Sequence, residues 1–283
     1  MTLHSTLSAP AGATPDATQA DERVVRRRLG PGRRIPLGAL IGPAALVAVW
    51  SAGSAFGWID PVTLSPPWTV VTTASDLIAK GQLQSDLAIS AARAFWGLAF
   101  GVLVGTLLAI VAGLSRFGES LIDGPVQVKR SIPSLALIPL LILWFGIGEG
   151  MKVITIALAV LVPVYIHTHN GLRSIDSRFV ELAQTSGVGR LEFIRSVVLP
   201  GATPGFLLGM RFAVTSALLA LVVVEQINAT NGIGYMITLA QSYGQTDVIV
   251  VGLVVYAALG LLADGFVRIV QRKALTWRRT MEN

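Results

Sequence analysis

The residues that could take part in chemistry are few, and their spacing argues against a catalytic centre. The chain has no Cys and three His, so thiolate nucleophiles and zinc–thiolate sites are excluded. His167 and His169 lie two positions apart in a helical stretch, hence on nearly opposite faces, which argues against a shared metal ion. The sequence contains neither the serine elbow of a Ser-His-Asp hydrolase nor a phosphate-binding G-x-x-x-x-G-K-[ST] loop. We therefore predict that this chain is not an enzyme and holds no cofactor or metal.

Two charged residues, Arg211 and Glu225, stand out because the segment around them is otherwise apolar. A charge at the centre of a bilayer costs about 2.5–3.5 kcal/mol on insertion scales, so in a membrane each would have to face protein or water. They are 14 residues apart, about 21 Å along a helix, and cannot pair with each other within it. Either they line a translocation pathway or its gates, which we favour, or they form structural pairs between helices.

The composition places these residues in a membrane. Of the 283 residues 53% are hydrophobic and 13% are charged, whereas soluble domains carry about 25% charged residues. Uncharged runs long enough to cross a lipid bilayer recur along the chain. They cover residues 35–59, 94–115, 131–148, 153–172, 196–224 (interrupted only by Arg211) and 248–267 (with Asp264 near its end). We therefore predict an all-α, polytopic membrane protein with six transmembrane helices.

Polar tails flank this membrane domain, and the basic residues orient it. Residues 1–34 have no apolar periodicity and predict a disordered tail, residues 35–272 form the transmembrane domain, and 273–283 form a second tail. Six Lys or Arg in the first tail, seven in two loops and five near the C-terminus give 18 of 22 on one side. The positive-inside rule then makes both termini cytoplasmic. This distribution explains the net charge of +6 without any nucleic-acid-binding groove.

Small residues recur at every fourth position of the second run. They are Gly97, Gly101, Gly105, Ala109 and Gly113. In lipid, such a stripe lets helix backbones approach closely. Packing within the subunit and contact with a second copy of the chain are equally consistent with this pattern.

Prolines interrupt the third run, at Pro133 and Pro139. A proline frees backbone hydrogen-bonding groups, and at membrane depth these must be satisfied by neighbouring protein or by a water-filled cavity. We therefore assign Ser131 and Pro133, together with Arg211 and Glu225, to the translocation pathway or gate. The glycine-rich stretch 146–150 is interpreted as an external turn.

The connection between the fourth and fifth runs, residues 175–200, predicts an amphipathic helix on the cytoplasmic side. Ile175, Phe179, Leu182 and Ala183 share one face at helical spacing, and Gly187 ends the helix. A second short helix, residues 191–198, is expected to lead into the fifth span. The amphipathic helix could lie on the membrane surface, pack within the chain or dock into a partner's groove, and composition does not separate these alternatives.

This loop resembles the EAA loop of the permeases of ATP-binding-cassette (ABC) importers. That pattern is Glu-Ala-Ala, three residues, Gly, nine residues, Ile, any residue, Leu-Pro; here Leu182 replaces the first Ala and Val197 replaces Ile. The stretches ISAARAFWG (89–97), GLSRFGESLID (113–123), PSLALIPLLILWFGIGE (133–149) and GIGYM (232–236) resemble permeases for aliphatic sulfonates. Nitrate and taurine importers share much of this pattern.

The resemblance implies a type I ABC importer permease-like fold in the bacterial inner membrane, with import by alternating access. It implies a homodimer with a second permease copy, two cytoplasmic ATPase subunits and an extracytoplasmic solute-binding protein. The ATPase-coupling residues it implies are Phe179, Glu181, Leu182, Ala183, Gly187, Leu199 and Pro200. The expected cargo is a small anion, first an aliphatic sulfonate, with nitrate, taurine or another small solute as alternatives. An ATPase-independent secondary transporter is the competing class, and the coupling helix argues against it.

Overall fold

The computed structural model describes residues 38–276, and these residues form α-helices and no strand. Residues 1–34, the predicted N-terminal tail, and 277–283, most of the predicted C-terminal tail, lie outside the described part. The described residues fall into two units that divide after Leu46. The helices are α1 (Gly38–Ala55), α2 (Pro67–Ala79), α3 (Gln82–Leu114), α4 (Arg116–Ser131), α5 (Ile138–Phe145), α6 (Glu149–Arg173), α7 (Ser177–Thr185), α8 (Arg190–Phe193), α9 (Leu199–Asn228), α10 (Ile233–Ser242) and α11 (Thr246–Ala274).

Four helical segments are long and apolar enough to cross a membrane: α3, α6, α11 and the continuous helix Arg190–Asn228. The last of these joins α8, a π turn and α9. A fifth span exists if α4 and Ser134–Phe145, which meet at 91°, count as one bent segment, and α1 is a shorter apolar helix. Within residues 38–276, each of the six predicted runs contains helix, but only four of them are full-length spans. The all-α prediction is confirmed.

The third predicted span is broken at its start. Ile132 adopts an extended conformation (φ −99°, ψ 118°), as a residue before proline prefers, and this ends α4. A 3-10 turn over Ser134–Leu137 and the eight residues of α5 follow. The helical part of this run is therefore too short to span a bilayer without α4, because a helix rises only about 1.5 Å per residue.

The small-residue stripe of α3 packs against α6 of the same subunit, which decides between the two alternatives left open by the sequence. Ile156, Val160 and Val164 of α6 are completely buried, and they repeat with the same four-residue spacing as the glycines. A Cβ atom on Gly101 would lie 2.6 Å from Cβ of Val160 and 2.7 Å from the carbonyl oxygen of Ala157. Only glycine permits this backbone-to-backbone approach.

The helices α6 and α9 approach each other in the same way. A Cβ atom on Gly205 would lie 2.6 Å from the carbonyl oxygen of His167 and 2.9 Å from Cα of Gly171. Three helices, α3, α6 and α9, are thus joined through contacts close to their backbones. They form the scaffold on which the polar residues described below are placed.

The predicted short helix at residues 191–198 is not a separate element. It continues without a break into the fifth span, giving the 39-residue helix Arg190–Asn228. Pro200 has no N–H to donate and its ring crowds the preceding turn. The wider π turn Ile194–Val198 lies directly before it and accommodates the ring without ending the helix.

Candidate functional site

The first candidate site is α7, the helix of the connection that the sequence predicts to be cytoplasmic. Asp176 caps its start, since the carboxylate accepts a hydrogen bond from the Arg178 N–H at 3.0 Å. Its end is a Schellman motif: the Val188 N–H donates to the Ala183 carbonyl at 2.9 Å and the Gly187 N–H to that of Gln184 at 3.3 Å. Gly187 has φ +67°, so the glycine predicted to end the helix does so in the left-handed conformation.

The apolar face of α7 is uncovered in this chain. No residue of α7 is buried, and the side chains of Phe179 and Leu182 are 53% and 61% exposed. Ala183 is half-buried and Glu181 exposed, and Leu199 and Pro200 are exposed where α9 begins. The structure therefore argues against packing of this face within the described chain. A short helix with an unpartnered apolar face suits a groove in another protein.

The second candidate site surrounds Glu225 at the end of α9. This side chain is 0% exposed, and its two oxygens together accept hydrogen bonds from four groups. Oε1 accepts a hydrogen bond from Nη1 of Arg93 at 2.7 Å. Oε2 accepts hydrogen bonds from the Gly234 N–H and from the Tyr256 hydroxyl, at 2.9 Å each. The Ser90 hydroxyl lies 2.8 Å from both oxygens. Glu225 is therefore a buried, fully satisfied carboxylate.

Arg93 of α3 is the centre of this network. Its side chain is 3% exposed and forms a two-bond fork with Glu149, with distances of 2.6 and 2.7 Å. It also donates to the main-chain and side-chain oxygens of Asn231 at 2.8 Å each. Lys152 adds a second cation 2.7 Å from Glu149. The cation of Arg93 thus offsets the charge of Glu225, which is buried, whereas Glu149 is 60% exposed and pairs with both Arg93 and Lys152.

The network also fixes the start of α10. Its first N–H groups, which no helical carbonyl can reach, donate to side chains from other helices. The Gly232 N–H donates to Asp86 at 2.8 Å, that of Ile233 to Ser90 at 2.9 Å and that of Gly234 to Glu225. Here too a side chain would collide, because a Cβ atom on Gly232 would lie 2.6 Å from Oε1 of Glu225. We name Asp86, Ser90, Arg93, Glu149, Lys152, Glu225, Asn231 and Tyr256 the outer cluster, because the topology predicted from the basic residues would place them on the outer side.

Arg211 does not pair with Glu225, because the two residues are too far apart along the helix. It pairs with a carboxylate of α11 instead. Its Nε lies 3.2 Å from Asp264 of α11, and the same carboxylate accepts from Arg268 at 2.6 Å. Ser131 is exposed beside the break at Pro133, and its hydroxyl donates to the Gln127 carbonyl at 3.1 Å. Among residues 38–276, no hydrogen bond joins the four predicted pathway residues to one another.

Arg93 and Glu149 were missed by sequence reasoning as site residues. Arg93 counts there only as a charge outside the membrane, and Glu149 only as part of an external turn. One signal could have found the cluster. Asp86, Ser90 and Arg93 are spaced i, i+4, i+7 and so share one face of an apolar helix, which is typical of a polar partner on a neighbouring helix.

Similarity to known proteins identifies the family. Residues 97–276 match the family described as "Binding-protein-dependent transport system inner membrane component". The chain belongs to this family. The matched region contains both α7 and Glu225, and the predicted resemblance to ABC importer permeases is confirmed.

Curated relatives of this permease extend the match over nearly the whole chain. It is 44% identical over 235 residues to a protein of Escherichia coli K12 named as aliphatic sulfonates transport permease SsuC, covering 83% of this chain and 89% of that protein. It is 38% identical over 272 residues to the Bacillus subtilis 168 protein of the same name, covering 96% and 98%. The taurine transport permease TauC of E. coli K12 is 33% identical over 239 residues, covering 83% and 87%.

A solved structure supports the fold. The permease aligns with a chain of a crystal structure described as an amino acid ABC transporter, with a TM-score of 0.59 and 18% identity over 70% of this chain and 97% of that one. The fold is that of a type I ABC importer permease. The chain is therefore a multi-pass transport subunit of the inner membrane and not an enzyme, and ATP hydrolysis is carried out by a separate ATPase. Membership also implies a binding protein as partner.

Proposed function

We propose that this permease imports aliphatic sulfonates into the cytoplasm by alternating access. The observation that carries the substrate class is the 44% and 38% identity, over most of the chain, to two proteins named for aliphatic sulfonates. The 33% identity to a protein named for taurine, itself an amino-substituted sulfonate, supports the same headgroup. Nitrate or another small solute is the alternative cargo.

The coupling step is assigned to α7. Its exposed apolar face, with Phe179 and Leu182 at its centre, docks into a groove of the ATPase subunit. The capped ends keep α7 helical, so that nucleotide-driven motion is transmitted and not absorbed by fraying. Through Gly187 and the 39-residue helix that follows, this motion reaches Glu225 at the opposite end. Glu181, Ala183, Leu199 and Pro200 complete the docking surface.

The pathway and gate are assigned to four residues with different roles. Glu225 acts as a gate by holding α3, α9 and α10 together at the outer end, since a buried carboxylate with four donors has no position left for a cargo. Arg211 is half-buried and cationic, which suits contact with an anion. Ser131 and Pro133 lie at the break after α4, where the backbone is not helical and can change direction.

The permease is further proposed to act as a homodimer with two ATPase subunits and an extracytoplasmic solute-binding protein. Both termini are proposed to be cytoplasmic, with the domain limits predicted from the sequence. Reporter domains fused after Arg116 and after Gly187 should therefore report the cytoplasm, whereas a reporter inserted between Ser65 and Lys80 should report the outer side. An inverted pattern would contradict this topology, which rests on the distribution of Lys and Arg.

The substrate and the coupling role are tested together by reconstituting the permease with its ATPase and binding protein in vesicles. We expect ATP-dependent uptake of radiolabelled ethanesulfonate. We also expect Gly187→Val to abolish uptake and the stimulation of ATP hydrolysis by the binding protein, because a β-branched residue is strained at φ +67°. Unaltered membrane insertion of the variant should accompany this loss.

A matched control lies two residues away. Gly189 has φ −65° and open space where a Cβ atom would lie, so Gly189→Val places the same side chain in an allowed conformation. This variant should keep most of the uptake. Near-normal coupling in Gly187→Val would show that α7 is not the coupling element, and uptake of ethanesulfonate without ATPase would favour a secondary transporter.

A further inference from the structure

A groove between the inner halves of α6 and α9 has the size and the chemistry of a small-anion site. Its volume is about 430 Å³, within the range of about 300–1,000 Å³ that small-molecule pockets occupy. One wall is α6 and the other is α9. The lining residues are His167, Asn170, Gly171 and Ser174 on α6, and Gly201, Pro204, Gly205 and Leu208 on α9.

The α6 wall presents polar groups in one row. His167, Asn170 and Ser174 are spaced i, i+3, i+7, so they follow one face of the helix. The imidazole of His167 and the amide of Asn170 can each donate a hydrogen bond, whereas the hydroxyl of Ser174 already donates within the chain. Within the described part of the chain, no Asp or Glu lines the groove. Donors without carboxylates suit an oxyanion and disfavour a cation.

The α9 wall leads to a cation. Pro204, Leu208 and Arg211 continue one face of α9 at spacings of four and three residues, so Arg211 follows the lining residue Leu208 by about one turn. The ring of Phe212 stacks on that of His167, with centroids 4.9 Å apart, and ties the two walls together at this end. Arg211 and Arg268 share the single carboxylate of Asp264, which leaves this group of three with a net positive charge.

The groove also adjoins the coupling segment. Ser174 follows directly after α6 and lies two residues before Asp176, the cap of α7. Its hydroxyl donates to the Gly171 carbonyl, also in the groove, at 2.9 Å. A displacement of α7 must therefore move one end of the polar row.

We propose that this groove, formed by His167, Asn170 and Ser174 facing the glycine-lined wall of α9 and ending at Arg211, is a transient binding site for the sulfonate headgroup in the inner half of the pathway. The inference rests on the proposed function, because it names the subsite at which that cargo is held before release. The sulfonate oxygens accept hydrogen bonds from His167 and Asn170 of the α6 row, and Arg211 supplies the opposing charge. Motion of α7 shifts Ser174 and weakens the site.

The test adds a negative charge to each wall of the groove. Asn170→Asp is nearly isosteric with the native side chain, and Leu208→Glu replaces an exposed leucine on the opposite wall. Gln82→Glu adds the same charge to an exposed position at the start of α3 and serves as control. The readout is the number of ethanesulfonate ions transported per ATP hydrolysed in reconstituted vesicles, because a merely structural defect lowers transport and hydrolysis together.

We expect Asn170→Asp and Leu208→Glu each to lower this ratio at least tenfold, and Gln82→Glu to leave it within twofold of the native value. A ratio near native in either correctly assembled groove variant overturns the subsite. If one groove variant does not assemble, the transport ratio of the other groove variant tests the subsite by itself. A native complex that transports a different solute and no ethanesulfonate instead refutes the proposed function, and the sulfonate subsite with it.

Discussion

Glu225→Gln should destabilise the folded permease, although the two side chains have the same shape. From the sequence alone, glutamine is a conservative replacement that keeps the hydrogen bonding and removes only the charge. The geometry contradicts this view, because the groups around Glu225 donate. Oε1 faces Nη1 of Arg93 and Oε2 faces the N–H of Gly234, and neither group can accept a hydrogen bond.

A glutamine amide must therefore place its NH₂ group against one of two obligate donors, whichever way it is turned. An unsatisfied buried polar group costs about 1–3 kcal/mol, and the loss of a charge opposite Arg93 adds to this cost, although Glu149 still pairs with the arginine. We expect a lower thermal midpoint of the purified permease in nanodiscs and less protein in the membrane. The loosened start of α10 should also lower uptake per folded molecule.

Asp76→Asn is the appropriate control for Glu225→Gln. It makes the same change from carboxylate to amide on α2, at an exposed position, and should leave the midpoint unchanged. A midpoint of Glu225→Gln equal to that of the control would mean that the outer cluster does not hold the fold. A lower midpoint with unchanged uptake per folded molecule would make Glu225 a structural residue and remove it from the gate.

Gly101→Ala should weaken the contact between α3 and α6, even though alanine is the better helix former. Its methyl group would lie 2.6 Å from Cβ of Val160 and 2.7 Å from the carbonyl oxygen of Ala157. The second of these neighbours is backbone and cannot rotate away, so the two helices must separate. Overpacking of this kind costs about 1–3 kcal/mol, and Gly101→Val should cost more.

Gly150→Ala is the control for the loss of stability expected of Gly101→Ala. Gly150 lies in the first turn of α6 with open space around its Cβ position, so alanine there should be neutral or slightly stabilising. The difference between the two variants in the unfolding midpoint isolates the contact from helix propensity. Equal midpoints would show that the α3–α6 contact adapts without cost.

Much of this architecture is predictable because its signals are local in the sequence. The apolar runs give the helices, and the four-residue glycine repeat predicts a close helix contact. Gly187 predicts the end of α7, where the structure shows a left-handed glycine and a Schellman motif. Each of these signals depends on a residue type and its near neighbours, which a single sequence displays.

The outer cluster was not predictable in the same way, because it depends on which helices are neighbours. Arg93 and Glu225 are far apart in the sequence, and the partner of Glu225 could have been any cation at the same depth. Likewise, the glycine stripe predicts a close contact but not its partner. The break at Pro133 was expected as a loss of backbone hydrogen bonds, but the 91° bend accompanies the packing of α4 against α3 and of α5 against α6.

The glycine contacts among α3, α6 and α9 have a mechanical consequence. With backbones this close, and with β-branched side chains seated over the glycines, the three helices have no room to slide past one another and must rotate as one rigid body. The loop that carries α7 connects two members of that body, α6 and α9. A displacement of α7 therefore cannot separate α6 from α9. It rotates α3, α6 and α9 together instead. The hinges must then lie outside this body, and the break in the backbone at Pro133 is one such place.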